Sequence, residues 1–197
     1  MLNFQIVRCF AVSFLALFLL AGCGESDLST PIRTIAAWEP DAALMGDLSE
    51  RSSHDFGSLQ LPHDFKAINS QEKRGVVVYA FRGPANASGV QPVIQVSTKK
   101  LGSHQKPKNH GATLQKFIGA IQQSRTDWNA SELERGTING QEFVAQEWTG
   151  AARGVPMYGK MFVTYFDKTL FIASFQNSAD GEDLRPLLET AIRTIQR

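Results

Sequence analysis

The chain has 197 residues, with 20 basic and 19 acidic side chains, a formal net charge of +1 and two cysteines. This near-neutral balance argues against nucleic acid as a partner, because nucleic-acid-binding domains concentrate basic charge. After an N-terminal leader, the length suits one domain of about 140 to 150 residues, which can bury roughly two thirds of its unfolded surface.

The first 23 residues have the pattern of a bacterial signal peptide. Arg8 supplies positive charge, an apolar run extends from Cys9 to Leu20, and small residues precede Cys23. The run is shorter than the roughly 20 apolar residues that a spanning helix needs. We therefore expect residues 1–22 to be removed as a signal peptide.

Leu20-Ala21-Gly22-Cys23 resembles the lipobox of bacterial lipoproteins. The resemblance implies that the Cys23 thiol is diacylated, the leader is cut and the new amino terminus gains a further acyl chain such as palmitate. Two or three acyl chains anchor a protein stably, whereas one binds only marginally. Because Gly24 and not Asp follows the cysteine, the resemblance also favours the periplasmic face of the outer membrane.

Composition divides the rest of the chain into three parts. Residues 23–37 are polar and predict a tether, and residues 38–56, with apolar spacing of three and four after Trp38, predict a segment that docks on the domain. Residues 57–197 predict an α+β domain, a mainly antiparallel sheet of hairpins with an inserted helix and a C-terminal amphipathic helix packed on it.

Local signals place the elements of this domain. Strands are expected at residues 76–81 and 92–98, and a helix from Thr113, its candidate N-cap, to Asp127. Asn139-Gly140 predicts a type I′ hairpin, and a second hairpin is expected at Asp167-Lys168. A closing helix should begin near Asp183, with that residue or Asp180 as its cap.

The element order, Leu61-Pro62 at the start of the domain, the Asn139-Gly140 hairpin and the closing helix of residues 181–196 are similar to the PsbP family. The resemblance covers residues 57–197. It implies an α-β-α sandwich that serves as a binding or assembly module, and it assigns no functional residue.

Candidate catalytic and metal-binding residues are sparse. His54-Asp55 and His63-Asp64 could ligate zinc, but no further ligands have a familiar spacing, and turn residues beside core phenylalanines are the alternative. Glu132, Glu134, Glu142 and Glu147 could form a glycosidase-like pair, or they could be ordinary surface acids on a hairpin. No nucleophile elbow or phosphate-binding loop is present, so we expect no enzyme activity, no metal and no cofactor.

Charge is segregated along the chain. Residues 73–126 contain nine bases and no acid, and the densest part is Lys99, Lys100, Lys106 and Lys108. These lysines could contact anionic lipid head groups or an acidic polymer, each contributing about 1 kcal/mol near an anionic surface. Alternatively, acidic segments could fold beside them and cancel their charge.

Together these features predict a lipid-anchored, non-catalytic cell-envelope protein that binds or assembles another component. Its partners would be the membrane, through the anchor, and an envelope protein or anionic surface. The alternative is a small-molecule or lipid binder with an apolar pocket between sheet and helix.

Overall fold

Alternating apolar and polar residues place most of the domain in strands. A computed structural model describes residues 31–35 and 37–197, so the predicted signal peptide and Cys23 lie outside the described residues. The strands are β1 (Ile32–Thr34), β2 (Ser52–His54), β3 (Gly57–Leu59), β4 (Lys66–Lys73), β5 (Val76–Arg82), β6 (Val93–Lys100), β7 (Thr126–Ala130), β8 (Leu133–Ile138), β9 (Gln141–Ala152), β10 (Val155–Phe166) and β11 (Thr169–Ser178). The helices are a 3₁₀ helix (Ala42–Asp47), α1 (His110–Gln122) and α2 (Arg185–Arg193).

Within the described residues, nine strands form one large sheet. Its order is β1-β8-β9-β10-β11-β6-β5-β4, with β7 pairing β9 beside β8, while β2 and β3 form a separate hairpin. All neighbouring strands of the large sheet are antiparallel except β1 and β8. The predicted α+β class with a mainly antiparallel sheet is confirmed at this level.

One helix packs on each face of the sheet. Along β10, Tyr158 and Phe162 belong to the core that includes α2, whereas Met161 and Val163 belong to the core that includes α1. Since successive side chains of a strand point to opposite faces, α1 and α2 lie on opposite sides. We call these the α1 face and the α2 face.

The two predicted hairpins are present. Asn139 and Gly140 have φ of 48° and 78° between β8 and β9, as a type I′ turn requires. Asp167 and Lys168 join β10 to β11 with φ of 39° and 62°. The segment of residues 150–154 holds the end of β9 and a tight turn at Arg153.

Helix α1 was predicted three residues too late at its start and five too late at its end. The side chain of Asn109 accepts the amide hydrogen of Ala112 at 3.1 Å, so Asn109 is the N-cap and not Thr113. Thr113 is buried inside the helix and contacts the Tyr165 hydroxyl at 3.0 Å. At the other end, the predicted helical residues Thr126 and Asp127 belong to β7, a strand that pairs with β9.

The terminal helix α2 is shorter than the apolar stripe suggested. It begins at Arg185, and Asp183 accepts the backbone N–H of Arg185 at 3.1 Å, while Asp180 accepts a bond from Ser88. Ile195 lies beyond the helix but is still buried. Because Ile195 is buried, the apolar pattern in the sequence continues past the end of the helix.

Part of the predicted tether, residues 23–37, forms a strand near its C-terminal end. Ile32–Thr34 pairs in parallel with β8, because the backbone of β8 has a free edge there. Trp38 and Leu48 are buried, and the Trp38 ring meets Phe162 edge to face at 5.5 Å. Within the described residues, no helix combines the length and hydropathy needed to cross a bilayer.

Candidate functional site

Basic residues of the acid-free segment lie together in space at one end of the sheet. Register places Lys73 and Lys99 in one row on either side of Val76, about 10 Å apart across two strand spacings. Lys100 lies opposite Thr169, beside the Lys168 turn, and the Leu101 amide donates to the Lys168 carbonyl at 2.7 Å. We call this group, made of Lys73, Arg74, Lys99, Lys100 and Lys168, the basic end of the sheet.

The four lysines proposed for anionic binding fall into two settings. Lys99 and Lys100 end β6, with Lys99 half-buried and Lys100 exposed. Lys106 and Lys108 are exposed in the loop between β6 and α1. The structure thus brings Lys99 and Lys100 to the basic end, and it leaves the other pair on the adjoining loop.

Few acidic residues lie beside the basic end to neutralise its charge. The strands β5, β6 and β11 contain no Asp or Glu. Asp167, in the turn with Lys168, is 3.9 Å from an Arg197 nitrogen. Glu72, in β4, pairs with Val77. Because Glu72 is the neighbour of Lys73, which projects from the α1 face, its side chain points to the α2 face.

On the α1 face, the sheet has a polar floor between β5 and β11. Three rows of directly opposed residues cross these strands: Ile172-Ser97-Val78, Ser174-Gln95-Ala80 and Gln176-Val93-Arg82. Ser97 is 1% exposed and Gln176 is 7% exposed. The Gln95 amide donates to Ser97 Oγ at 3.1 Å, whereas Gln176 Oε1 is buried without a hydrogen-bond partner among the described residues.

This buried floor is bordered by neighbouring elements. Helix α1 packs on β9 and β10 at one side. At one end of the rows, Asn86 of the loop between β5 and β6 bonds the Ser178 hydroxyl, and Val90 of the same loop joins the α1-face core. We call these three rows the β5–β6–β11 floor.

Four bases project from the α1 face at the two ends of these strands. Lys66 lies opposite Arg82 at the end with the β5–β6 loop, and Lys73 lies in the row of Lys99 at the basic end. Arg82 and Lys99 are half-buried, and Lys66 and Lys73 are exposed. Three of the four belong to the acid-free segment, and only Lys66 lies outside it.

A second charged cluster, on the α2 face, was not predicted from the sequence. The Lys160 ammonium lies 2.7 Å from Glu189 Oε1 and 3.2 Å from Glu134 Oε2, and its side chain is 8% exposed. Arg33 pairs with Glu134, and Arg193 lies 2.6 Å from Glu189. A single lysine in an otherwise apolar strand was the signal for this cluster, but its partners come from β8 and α2.

Electrostatics identify this cluster as an ion-pair network. Burial would raise the pKa of Glu134, but hydrogen bonds and charge from Arg33 and Lys160 outweigh burial and lower it. The Lys160 ammonium also lies 5.4 Å from the Phe162 ring centroid and 6.0 Å from that of Trp38. These contacts join the N-terminal segment to the domain.

The remaining candidates are not brought together. His54 stacks on Phe56 at 5.0 Å, where burial lowers its pKa, and His63 bonds the Gly46 carbonyl. Within the described residues, no group of three potential metal ligands exists.

The hairpin carboxylates are also divided between the faces. Glu134 and Glu147 point to the α2 face, where Glu147 pairs with Arg185 at 3.4 Å. Glu142 points to the other face, 3.6 Å from His110, and Glu132 is exposed. A general acid needs a proton near neutral pH, which the lowered pKa of Glu134 opposes.

Comparisons with known proteins give no family assignment. No family model matches the chain, and no curated protein matches it. Three solved structures are loosely similar. A protein of Bacteroides thetaiotaomicron VPI-5482 is 16% identical with a TM-score of 0.45, and the match covers 74% of this chain but only 46% of that one.

The second is PA94 of Pseudomonas aeruginosa, titled a protein of unknown function and putative regulator, with 12% identity, a TM-score of 0.48 and coverage of 77% and 98%. The third is LpqN of Mycobacterium tuberculosis, titled as involved in cell envelope biogenesis, with 19% identity, a TM-score of 0.43 and coverage of 74% and 85%. With TM-scores below 0.5, the function must be argued from this chain's own residues.

Proposed function

We propose that the chain is a lipid-anchored, non-catalytic protein of the bacterial cell envelope, whose domain binds or helps to assemble a component with an anionic surface. The lipobox at Cys23 supports the anchor. The observation that carries the binding role is the basic end of the sheet, where bases distant in sequence converge beside β5, β6 and β11, three strands that contain no acid. Such a surface attracts anionic head groups or polymers.

The proposed anchor and the basic end act on the same membrane. Strand β1 begins at Ile32, so eight residues separate it from Cys23. Eight residues can span at most about 29 Å. The domain is thereby held within reach of lipid head groups, and the outer membrane's periplasmic face is the location that Gly24 favours.

The anchor is tested by acylation and fractionation. In growing cells, the wild-type protein should incorporate labelled palmitate and remain with the membrane fraction, whereas the Cys23→Ser variant should do neither. Retention of that variant in membranes without label would contradict the lipid anchor.

The binding role is tested by crosslinking in intact cells. A photoreactive residue at Lys106, beside the basic end, should form adducts with the anionic component. The same residue at Arg153, an exposed turn at the opposite end of the sheet, is the matched control. Equal adducts at both positions would contradict a directed surface.

A further inference from the structure

We propose that the domain lies on an anionic lipid bilayer with its α1 face toward the head groups and residues 38–65 facing away from them. This inference rests on the proposed function, because it names the bilayer surface as the anionic partner and the face of the domain that meets it. It follows from the opposite charges on the two sides of the sheet.

The α1 face is basic. Helix α1 and the loop before it, residues 101–122, contain three lysines and no acid. One acid stands among the paired positions of the described strands on this face, Glu142, and it lies 3.9 Å from Arg135 Nε. The same paired positions carry five bases: Lys66, Lys73, Arg82, Lys99 and Arg135.

The opposite side carries the reverse charge. Residues 38–65 cover the α2 face, where Trp38, Phe56 and Leu61 belong to the core. This outer layer contains six acids and one base, Arg51, and all six acidic residues are exposed. A surface of anionic head groups therefore attracts the α1 face and repels the outer layer. The six acids are Glu39, Asp41, Asp47, Glu50, Asp55 and Asp64.

Distance keeps the two charged sides separate. Layers packed on a sheet lie about 10 Å from it, so the two sides are about 20 Å apart. Charges are screened over about 10 Å at 0.1 M salt. The acids of the outer layer therefore do not cancel the bases of the α1 face where that face meets a surface.

The bases of the α1 face are spread over an area. Arg135 on β8 and Lys66 on β4 are separated by six strand spacings, about 29 Å. Lys66 and Lys73, at the two ends of β4, are about 20 Å apart along the strand. One small anion cannot contact bases so far apart, and a linear polymer follows only one row of them. A plane of head groups meets each base separately, so the bilayer is the partner that this face fits.

Strand β1 places the proposed anchor beside the same face. Ile32 packs against the α1-face core, and its Cδ1 atom lies 3.5 Å from the position of a Cβ atom built at Gly111, in the first turn of α1. Eight residues separate Ile32 from Cys23 and can span at most about 29 Å. Acyl chains on Cys23 can therefore enter the bilayer while the α1 face rests on it.

The experiment places a nitrobenzoxadiazole dye on either side of the domain in the mature acylated protein. Gly119→Cys on α1 and Gly46→Cys in the outer layer are matched variants, because a Cβ atom at either position meets nothing within 4 Å. The introduced cysteine is the one free thiol, since Cys9 leaves with the signal peptide and acylation blocks Cys23. Each labelled protein is reconstituted on vesicles that contain a lipid with a nitroxide in its head group, which quenches dyes near the surface.

On phosphatidylglycerol vesicles, we expect quenching at position 119 to exceed quenching at position 46 at least threefold. On phosphatidylcholine vesicles the two should be equal, because a neutral surface selects no face. Salt at 1 M shortens the screening length to about 3 Å and should remove the difference. Arg153→Gln, at the opposite end of the sheet, should retain the difference. It should be lost in a variant with glutamine at Lys66, Lys73, Lys106 and Lys108.

Thermal unfolding reports whether the labelled variants keep the fold. Gln123→Cys and Ser53→Cys, at exposed positions of the same two sides, replace any that do not. Equal quenching at both positions on phosphatidylglycerol vesicles, or stronger quenching in the outer layer, would overturn the inference.

Binding of the non-acylated protein to the same vesicles separates this inference from the proposed function. Selective binding to phosphatidylglycerol vesicles together with equal quenching refutes the orientation and leaves the proposed function standing. Equal binding to both kinds of vesicle refutes the proposed binding role itself.

Discussion

Lys160 and Glu189 form an ion pair of 2.7 Å beneath α2, where the lysine side chain is 8% exposed. Glu134 lies 3.2 Å from the same ammonium group, so one buried cation joins β8, β10 and α2. Arg33 on β1 and Arg193 on α2 complete the network, and Arg193 also donates to the Glu39 carbonyl. The network therefore holds the segment from Arg33 to Glu39, which follows the proposed anchor, against the domain.

Replacing Lys160 with methionine should destabilise the domain. Removal of one partner from a buried ion pair costs about 3–5 kcal/mol, and we expect about 3 kcal/mol because Arg33 and Arg193 still neutralise the two glutamates. Urea unfolding measures the change. Lys106→Met, at an exposed site, should change stability by less than about 0.5 kcal/mol, and similar losses in both variants would contradict a structural network.

The lowered pKa of Glu134 predicts a dependence of stability on pH. Because the pKa is lower in the folded than in the unfolded protein, the stabilisation is complete above the unfolded value of about 4.3 and is lost as pH falls through the folded value. Unfolding free energies measured from pH 6 down to pH 3 should fall less steeply for Glu134→Gln than for wild type. The exposed-site variant Glu132→Gln should follow wild type.

Gly159 is required by close packing at the centre of the sheet. A Cβ atom there would lie 2.5 Å from the Phe175 carbonyl oxygen and 2.6 Å from the Trp148 ring. Gly159→Ala should therefore destabilise the protein by more than about 2 kcal/mol. Gly119→Ala is the matched control, since open space surrounds that helical position and alanine should stabilise it by about 0.5–1 kcal/mol. Equal Tm values for the two variants would refute the packing argument.

The cap of α1 gives a further prediction. Asn109→Ala removes the acceptor for the Ala112 amide and should cost about 1 kcal/mol. Lys108→Ala, at the preceding exposed residue, should cost much less. If the two variants unfold at the same urea concentration, Asn109 does not cap the helix.

Local chemistry explains which parts of the fold the sequence could predict. Asn139-Gly140 defines its hairpin because both residues adopt positive φ there, and the turn at Asp167 behaves likewise. The start of α1 could not be predicted from the sequence, because Asn109 and Thr113 are both residue types that cap helices. Only packing makes Thr113 an interior residue of the helix. The pairing of β1 with β8 joins residues about 100 positions apart, which no local signal encodes.

The same distinction applies to the candidate site. Lys99 and Lys100 were predicted because they are adjacent in a sequence segment without acids. The alignment of Arg82 with Gln176 depends on register, which places them in one row across β5, β6 and β11. Lys160 is the single lysine of an apolar strand, but the sequence could not predict its ion pairs because both of its carboxylate partners belong to other elements.

The central claim is tested most directly by the binding of non-acylated protein to vesicles. At low salt, the wild-type domain should bind vesicles containing anionic lipid and not neutral vesicles, and binding should weaken as salt screens the charges. A variant with Lys99, Lys100, Lys106 and Lys108 changed to glutamine should bind at least a hundredfold more weakly, at about 1 kcal/mol for each base, whereas Arg153→Gln should bind like wild type. Unchanged binding of the four-lysine variant would contradict the account.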